Sequence, residues 1–292
     1  MTTNSPAVVV FGSLHYDIIV KGPARPRKGE TLTGDAWYPA CGGKGGNQAV
    51  SAAKAGARSA MIGAVADDDF GRALLAHLDQ HGIERQTVRV LQGVGTGMSV
   101  ALFDGEGDYG AVIVSGSNLK LGQGDVEAAR WLFAAGNILL LQNEVPEAAN
   151  ILAATAMKRS GGTVILNAAP ARPLSPELAA QVDILVVNAL EAEALAGGEA
   201  IETLEQALGA ARSLARDFEI AVVTAGGEGV AYAARDGQEG TIPAIRVKLV
   251  STHGAGDEFI GVLAAELLSG RDIGRALEAA NRAAAALVSK ER

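Results

Sequence analysis

Short, almost wholly apolar, β-branched runs recur along this chain at 8–11, 138–141, 164–166, 184–187 and 220–224, and Ala/Leu-rich stretches lie between them. A strand with one wet face alternates apolar and polar residues, whereas an unbroken apolar run is covered on both faces. Helical spacing occupies 46–55, 70–80, 126–135, 147–158, 191–196 and 201–215. Strands and helices that alternate in this way close into a parallel sheet through right-handed crossovers. The expected fold class is therefore α/β.

Two stretches interrupt the pattern. Residues 17–40 carry Pro23, Pro26 and Pro39 with several glycines and no helical spacing. Residues 98–115 alternate at 98–103 and 109–114 around Asp104-Gly105-Glu106-Gly107, a hairpin signature. Together they predict a small sheet apart from the main one, with a face that a substrate or a partner chain must cover.

Composition narrows the function classes. Apolar residues make up 48% but aromatics only 4%, so Ala, Val and Leu fill the core. The net charge of −8 without a basic block argues against general nucleic-acid binding. Cys41 stands alone, so no intramolecular disulfide forms, which fits a reducing cytoplasm. The run 7–11 is too short for a signal peptide or a membrane span, and the Ala-rich stretch 276–288 is interrupted by Glu278, Asn281 and Arg282, as in a packed helix.

Two glycine-rich segments carry chemistry. In Gly42-Gly43-Lys44-Gly45-Gly46-Asn47-Gln48-Ala49 the glycines let backbone approach a ligand, and the helix that follows offers free amides. Lys44 is followed by Gly45, not Ser or Thr, so this is no Walker A loop; it reads equally as a flexible turn before a helix. The stretch Gly12-Ser13-Leu14-His15-Tyr16-Asp17 lacks a dinucleotide fingerprint, which argues against an oxidoreductase. In Thr252-His253-Gly254-Ala255-Gly256-Asp257-Glu258-Phe259 the backbone at Gly254, Ala255 and Gly256 opens an apolar helix and can face one small cavity that stabilises phosphoryl charge. Asp257 lies in the first helical turn; taken alone, it reads as an acid complementing the helix dipole.

The pair of segments, in this order, resembles the signatures of the ribokinase-like, or phosphofructokinase-B-type, carbohydrate kinase family. Smaller matches stand in order along the chain: Gly12-Ser13 with Asp17, Gly29-Glu30-Thr31, Asp67-Asp68-Asp69-Phe70-Gly71, Asn167-Ala168-Ala169-Pro170-Ala171, Asn188 with Glu191, and Thr224-Ala225-Gly226-Gly227 with Gly229. The resemblance implies a single three-layer α/β/α kinase domain over 1–292, with a mostly parallel central sheet. It adds a small β-sheet lid from about 13–41 and 96–116, used for homodimerisation. It implies transfer of the γ-phosphoryl group of ATP to a hydroxyl of ribose or a related sugar. By resemblance Asp257 is the general base, with Gly254, Ala255 and Gly256 as the anion hole. Asp17, His15, Gly43, Lys44, Asn47 and Glu144 line the sugar site. Asn188, Thr224, Gly226, Gly229 and Asn281 border the nucleotide, and Glu191 holds Mg²⁺ through water.

Each position also has a plainer reading: Asp17 as a turn acid, Glu144 as a solvated loop residue, Asn188 and Glu191 as helix caps, Asn281 as a helix-surface residue. The chain departs from the family pattern at Ser251, where an aspartate is usual, and the sequence ends at Arg292 without the family's cation-loop tail, so monovalent-cation activation is not expected. His253 and Ala189 also replace family residues, and His15 stands where an asparagine is usual, so the sugar itself is open. The alternatives are a nucleoside kinase of the same fold and a non-catalytic sugar or nucleotide sensor.

Overall fold

The structure, a computed structural model, describes residues 5–105, 109–197 and 200–290. In chain order the strands are β1 (Val8–Phe11), β2 (His15–Lys21), β3 (Ala36–Gly42), β4 (Ser59–Ala66), β5 (Val88–Leu91), β6 (Met98–Phe103), β7 (Tyr109–Val114), β8 (Ile138–Gln142), β9 (Thr163–Asn167), β10 (Ile184–Asn188), β11 (Ile220–Thr224), β12 (Gly229–Ala234) and β13 (Glu239–Pro243). The helices are α1 (Lys44–Lys54), α2 (Asp69–Gln80), α3 (Gln123–Ala128), α4 (Glu147–Arg159), α5 (Pro176–Ala179), α6 (Ala189–Ala196), α7 (Leu204–Leu214), α8 (Ala255–Leu268) and α9 (Ile273–Val288).

Among the described residues the large sheet runs β13-β12-β11-β10-β9-β8-β1-β4-β5. It is parallel from β11 to β5 and antiparallel only at β11–β12–β13. The pleat sends alternate side chains to opposite faces. Val8 and Val10 of β1 join Leu140 and Val186 against Ala49, Leu74, Leu263 and Leu277 of α1, α2, α8 and α9. Val9 and Phe11 join Leu139, Leu141 and Val187 against Ala153, Leu178 and Ala211 of α4, α5 and α7. Three layers follow directly from apolar runs that have no wet side.

The pattern of apolar runs missed four strands of this sheet, β4, β5, β12 and β13. In β4, Ser-Ala-Met-Ile-Gly-Ala-Val-Ala has few β-branched residues, yet every position is buried. The strands β12 and β13 form an antiparallel edge; Gly229 begins β12 at φ 127, and a Cβ there would stand 2.1 Å from the Ile242 carbonyl oxygen. The predicted helix at 126–135 is instead the short α3 followed by a 3-10 turn, Arg130–Leu132.

The small sheet, ordered β3-β2-β6-β7, is drawn from the two irregular excursions, with β2 parallel to β6 and antiparallel to β3. Of its expected turn, Glu106 and Gly107 lie outside the described residues. Where β1 leaves the large sheet for β2, the Asn118 side chain accepts from the Leu14 N–H (2.9 Å) and donates to the Leu14 carbonyl (2.9 Å). Among the described residues no helix is long and apolar enough to cross a membrane.

Asn118 is fully buried, and Asn118→Ala strands both Leu14 backbone groups without partners. The expected loss is about 2–4 kcal/mol of folding stability, read as a lower midpoint in urea unfolding; an unchanged midpoint would show that the clamp contributes nothing.

Candidate active site

Parallel strands end in a common edge, and ligands in α/β proteins bind outside it. Here that edge carries Gly12 after β1, Gln142 at the end of β8, Asn188 of β10 and, in register beside it, Thr224 of β11. Helix α8 starts over this edge and packs along α1. The approach is close because Gly261 has no side chain: a Cβ there would lie 2.4 Å from Ser51 Cβ. Ser51 Oγ donates to the Glu258 carbonyl (2.9 Å) across the same contact.

The contact brings the two glycine-rich segments together. Asp257 Oδ2 accepts from Asn47 Nδ2 (2.9 Å), and Oδ1 accepts from Gln48 Nε2 (3.0 Å). Asp257 is buried. Burial pushes its carboxyl above the ordinary carboxylate range and nearby Glu144 adds to the rise, against the opposing pull of the Lys44 ammonium and the two amide donors. Behind Gln48 the chain of amides continues: Gln142 Nε2 donates to Gln48 Oε1 (2.8 Å), and Asn150 Nδ2 donates to the Gln142 carbonyl (2.8 Å).

The start of α1 corrects one expectation. Gly43 caps it at φ 83, and a Cβ there would meet the His15 N at 2.6 Å, so glycine is required by the neighbouring strand. The amides that follow are not free. Lys44 N–H donates to Glu144 Oε2 (3.0 Å), Gly45 N–H to Ser13 Oγ (3.3 Å) and Gly46 N–H to the Ser13 carbonyl (2.9 Å). The positive end of α1 is taken up by holding Glu144, which also accepts from Ser13 Oγ and stands 3.7 Å from His15 Nδ1. Glu144 is thus an enclosed acceptor rather than a solvated loop acid.

His15, Asp17 and Ile19 form the buried face of β2. Asp17 lies in the strand, not in a turn, and its Oδ1 accepts from Ser99 Oγ of β6 at 2.5 Å. Its Oδ2 lies so close to Gly42 that a Cβ there would be 2.0 Å away. The small sheet therefore presents the Asp17 carboxylate and the His15 imidazole beside the Lys44 loop, where Glu144, from the loop after β8, joins them.

On the other flank Asn188 and Glu191 cap α6 reciprocally: Glu191 N–H donates to Asn188 Oδ1 (2.9 Å) and Asn188 N–H to Glu191 Oε2 (2.9 Å). Glu191 is buried, and burial raises its pKa while the Asn188 amide and Lys44 act against that. Lys44 thus acts electrostatically on both Asp257 and Glu191. Thr224 Oγ1 donates to the Val187 carbonyl (3.4 Å), and Gly226, at φ 52, has open space beside it. The close approach of β13 accounts for the glycine at position 229. Asn281 is not a surface residue: it is buried, and Nδ2 donates to the Pro243 carbonyl (2.9 Å).

At α8 the three expected amides are not equivalent. Gly254, at φ 76, is the N-cap, and Gly256 has open space on its Cα, but Ala255 N–H donates to the Thr252 carbonyl (3.2 Å). The left-handed cap folds a turn back on Ala255, so its amide is engaged by the loop before α8. Gln142 and Ser99 stood in no motif of the sequence, and Ser13 and Gln48 stood within the quoted motifs without a role assigned to them. Their neutral side chains carry no spacing signal; only adjacency to Asn47, Glu144 or the lid strands marks them.

The sequence pattern of the pfkB family carbohydrate kinases matches residues 5–292. A ribokinase of Haemophilus influenzae is 34% identical over 286 residues, 97% of this chain and 92% of that protein. A deoxyribokinase of Salmonella typhi is 34% identical over 94% of this chain and 89% of its own length. The solved structure of Arabidopsis thaliana ribokinase complexed with ribose and ATP superposes with a TM-score of 0.90 at 31% identity, covering 99% of this chain and 94% of that one.

A methyl group at position 261 has no room between α1 and α8. Gly261→Ala is expected to lower stability by roughly 1–3 kcal/mol and to lower turnover by moving Asp257 away from Asn47. Thermal unfolding and steady-state kinetics on the same preparation check this, and wild-type values for both would mean the contact is looser than drawn.

Proposed function

The chain belongs to the pfkB family of carbohydrate kinases, and from that membership we propose that it moves the γ-phosphoryl group of ATP to a hydroxyl of ribose or a closely related pentose. The observation that supports this best is the meeting of Asp257 with Asn47, Gln48 and Lys44 at the edge of the parallel sheet. A sugar hydroxyl is a weak nucleophile until its proton has somewhere to go. Each Asp257 oxygen already accepts one amide and keeps a further lone-pair site. As the new O–P bond forms, the hydroxyl proton passes to Asp257, and the bond from phosphorus to the β,γ-bridging oxygen breaks. The departing electron pair leaves with ADP.

Asp17, His15 and Glu144 offer acceptors and a ring for the remaining sugar hydroxyls, with Gly43, Lys44 and Asn47 closing the site from α1. Lys44 balances the charge that gathers between Asp257 and the phosphates. The N–H groups of Gly254 and Gly256 receive the phosphoryl oxygens. Asn188, Thr224 and Gly226 border the nucleotide, and Asn281 and Gly229 act indirectly by holding β13 in place. Mg²⁺ carried by ATP would supply charge neutralisation at its phosphates. Among the described residues no group of three or more His, Cys, Asp or Glu forms a direct metal cage, which fits an ion that keeps most of its waters. Glu191, with one oxygen bound to the Asn188 amide, has the other available to such a water.

The face of the small sheet turned away from Asp17 exposes Trp37, Val112 and Val114, which lie in register with Val20, Ile18 and Tyr16 across the strands. A patch of this kind needs a partner, and a second copy of the chain is the proposed one. A kinase fed by ATP has the cytoplasm as its expected compartment.

Asp257→Asn is expected to fold and to bind ATP normally while turnover falls roughly 10²-fold or more. The assay is ADP release over a panel of pentoses, hexoses and nucleosides with MgATP. Wild-type turnover in the variant would remove Asp257 as the base, and binding without ADP release across the whole panel would favour a sensor. Ser251 lacks the charge of an aspartate, and its amide and that of Val250 are engaged by the Val288 carbonyl at 3.3 and 2.8 Å. Turnover is accordingly expected to be equal in potassium and sodium salts, and a several-fold rise in potassium alone would overturn that expectation.

A further inference from the structure

Gln48 and Gln142 are both fully buried, which is unusual for amides that hold up no helix end and no strand edge. The order of their hydrogen bonds leaves one arrangement. A carboxylate only accepts, so the Gln48 NH₂ group must face Asp257 Oδ1. Gln48 Oε1 then faces Gln142 and requires the Gln142 NH₂ group. Gln142 Oε1 is turned toward Gly12, so close that a Cβ at position 12 would lie 1.9 Å away, and has no hydrogen-bond partner among the described residues. The chain accepts an unpaired buried oxygen at its far end to keep a donor on Asp257 at the near end.

We propose that Gln48 and Gln142 are positioning residues for phosphoryl transfer: a buried two-amide chain that fixes the rotation of the Asp257 carboxylate and holds it in the proton-accepting form. The proposal rests on Asp257 being the base. Gln48 has no exposed surface, so it acts on the substrate only through Asp257, unlike Asn47, which lies at the site. The charged groups facing Asp257 are Lys44 from α1 and Glu144 from the loop after β8, with Glu258 beside it on α8. Of these only Lys44 favours the carboxylate, and burial opposes it. The two amide donors are the remaining support for the anion.

The sign follows. A general base works when deprotonated, so kcat falls as pH drops through the Asp257 pKa. Removing a donor to the carboxylate raises that pKa and moves the acid limb of the kcat profile to higher pH. The experiment uses the full chain with MgATP and ribose, or the panel sugar turned over fastest. Gln48→Met, close in volume, is expected to shift the acid limb upward by about one pH unit, with KM for ATP unchanged. Gln142→Met, which leaves α8 and Asp257 untouched, is expected to shift it in the same direction by less, and it carries the test if Gln48→Met does not fold. An acid limb at the wild-type position in a folded variant, while Asp257→Asn is inactive, would overturn the amide chain and leave the base intact. Turnover surviving in Asp257→Asn would overturn both.

Discussion

One carboxylate held by two side chains from a distant helix organises this molecule. Asn47 and Asp257 are 210 residues apart in sequence, and their hydrogen bond exists only because α1 and α8 lie almost backbone to backbone. That closeness depends on small residues at the crossing, Gly261 on one helix and Ser51 and Ala52 on the other. The same close approach carries Lys44 to within electrostatic reach of Asp257. Helix packing and the Asp257 contacts are here a single constraint, since any widening of the crossing separates that carboxylate from the amides that hold it.

Much of this could be read from residues alone, for identifiable reasons. The inner strands announced themselves because parallel strands buried on both sides must be apolar at every position, as in β1 and β8. The two lid excursions were visible because alternation replaced continuous apolarity. By contrast β4 was hidden, its buried surface being built from Ala and Gly where α1 lies close, and β12 was hidden because its glycine serves an antiparallel neighbour. The site divided in the same way. Charged and glycine positions were legible through their spacing, while uncharged Gln48 and Gln142 acquire meaning only once the fold sets them in a line.

The expectation of free amides at the start of α1 failed for an instructive reason. A helix N-terminus is equally an attractor for the protein's own acids, and Glu144 occupies it with the help of Ser13. Glu144 is thereby held rigid between β8 and the root of the lid, next to His15. The start of α8, whose cap is a left-handed glycine with no side chain to bond its amides, has no such internal acid. Two glycine-rich helix ends thus differ in what they hold: one fixes the protein's own Glu144 carboxylate, and the other begins at a cap with no side chain to bond its amides.

The crossing of α1 with α8 also bears on how the chain is made. While it emerges from the ribosome, N-terminal segments are available first, and α1 could settle on β1 and β4 early. Its other side has no cover until residues past 261 have been translated. Nearly nine-tenths of the polypeptide must therefore exist before α1 is shielded from solvent, and Asp257 meets Asn47 and Gln48 in that same late event. A nascent chain of this protein is idle until almost the last codon has been read, and it shows a sticky helix to its surroundings for most of its birth.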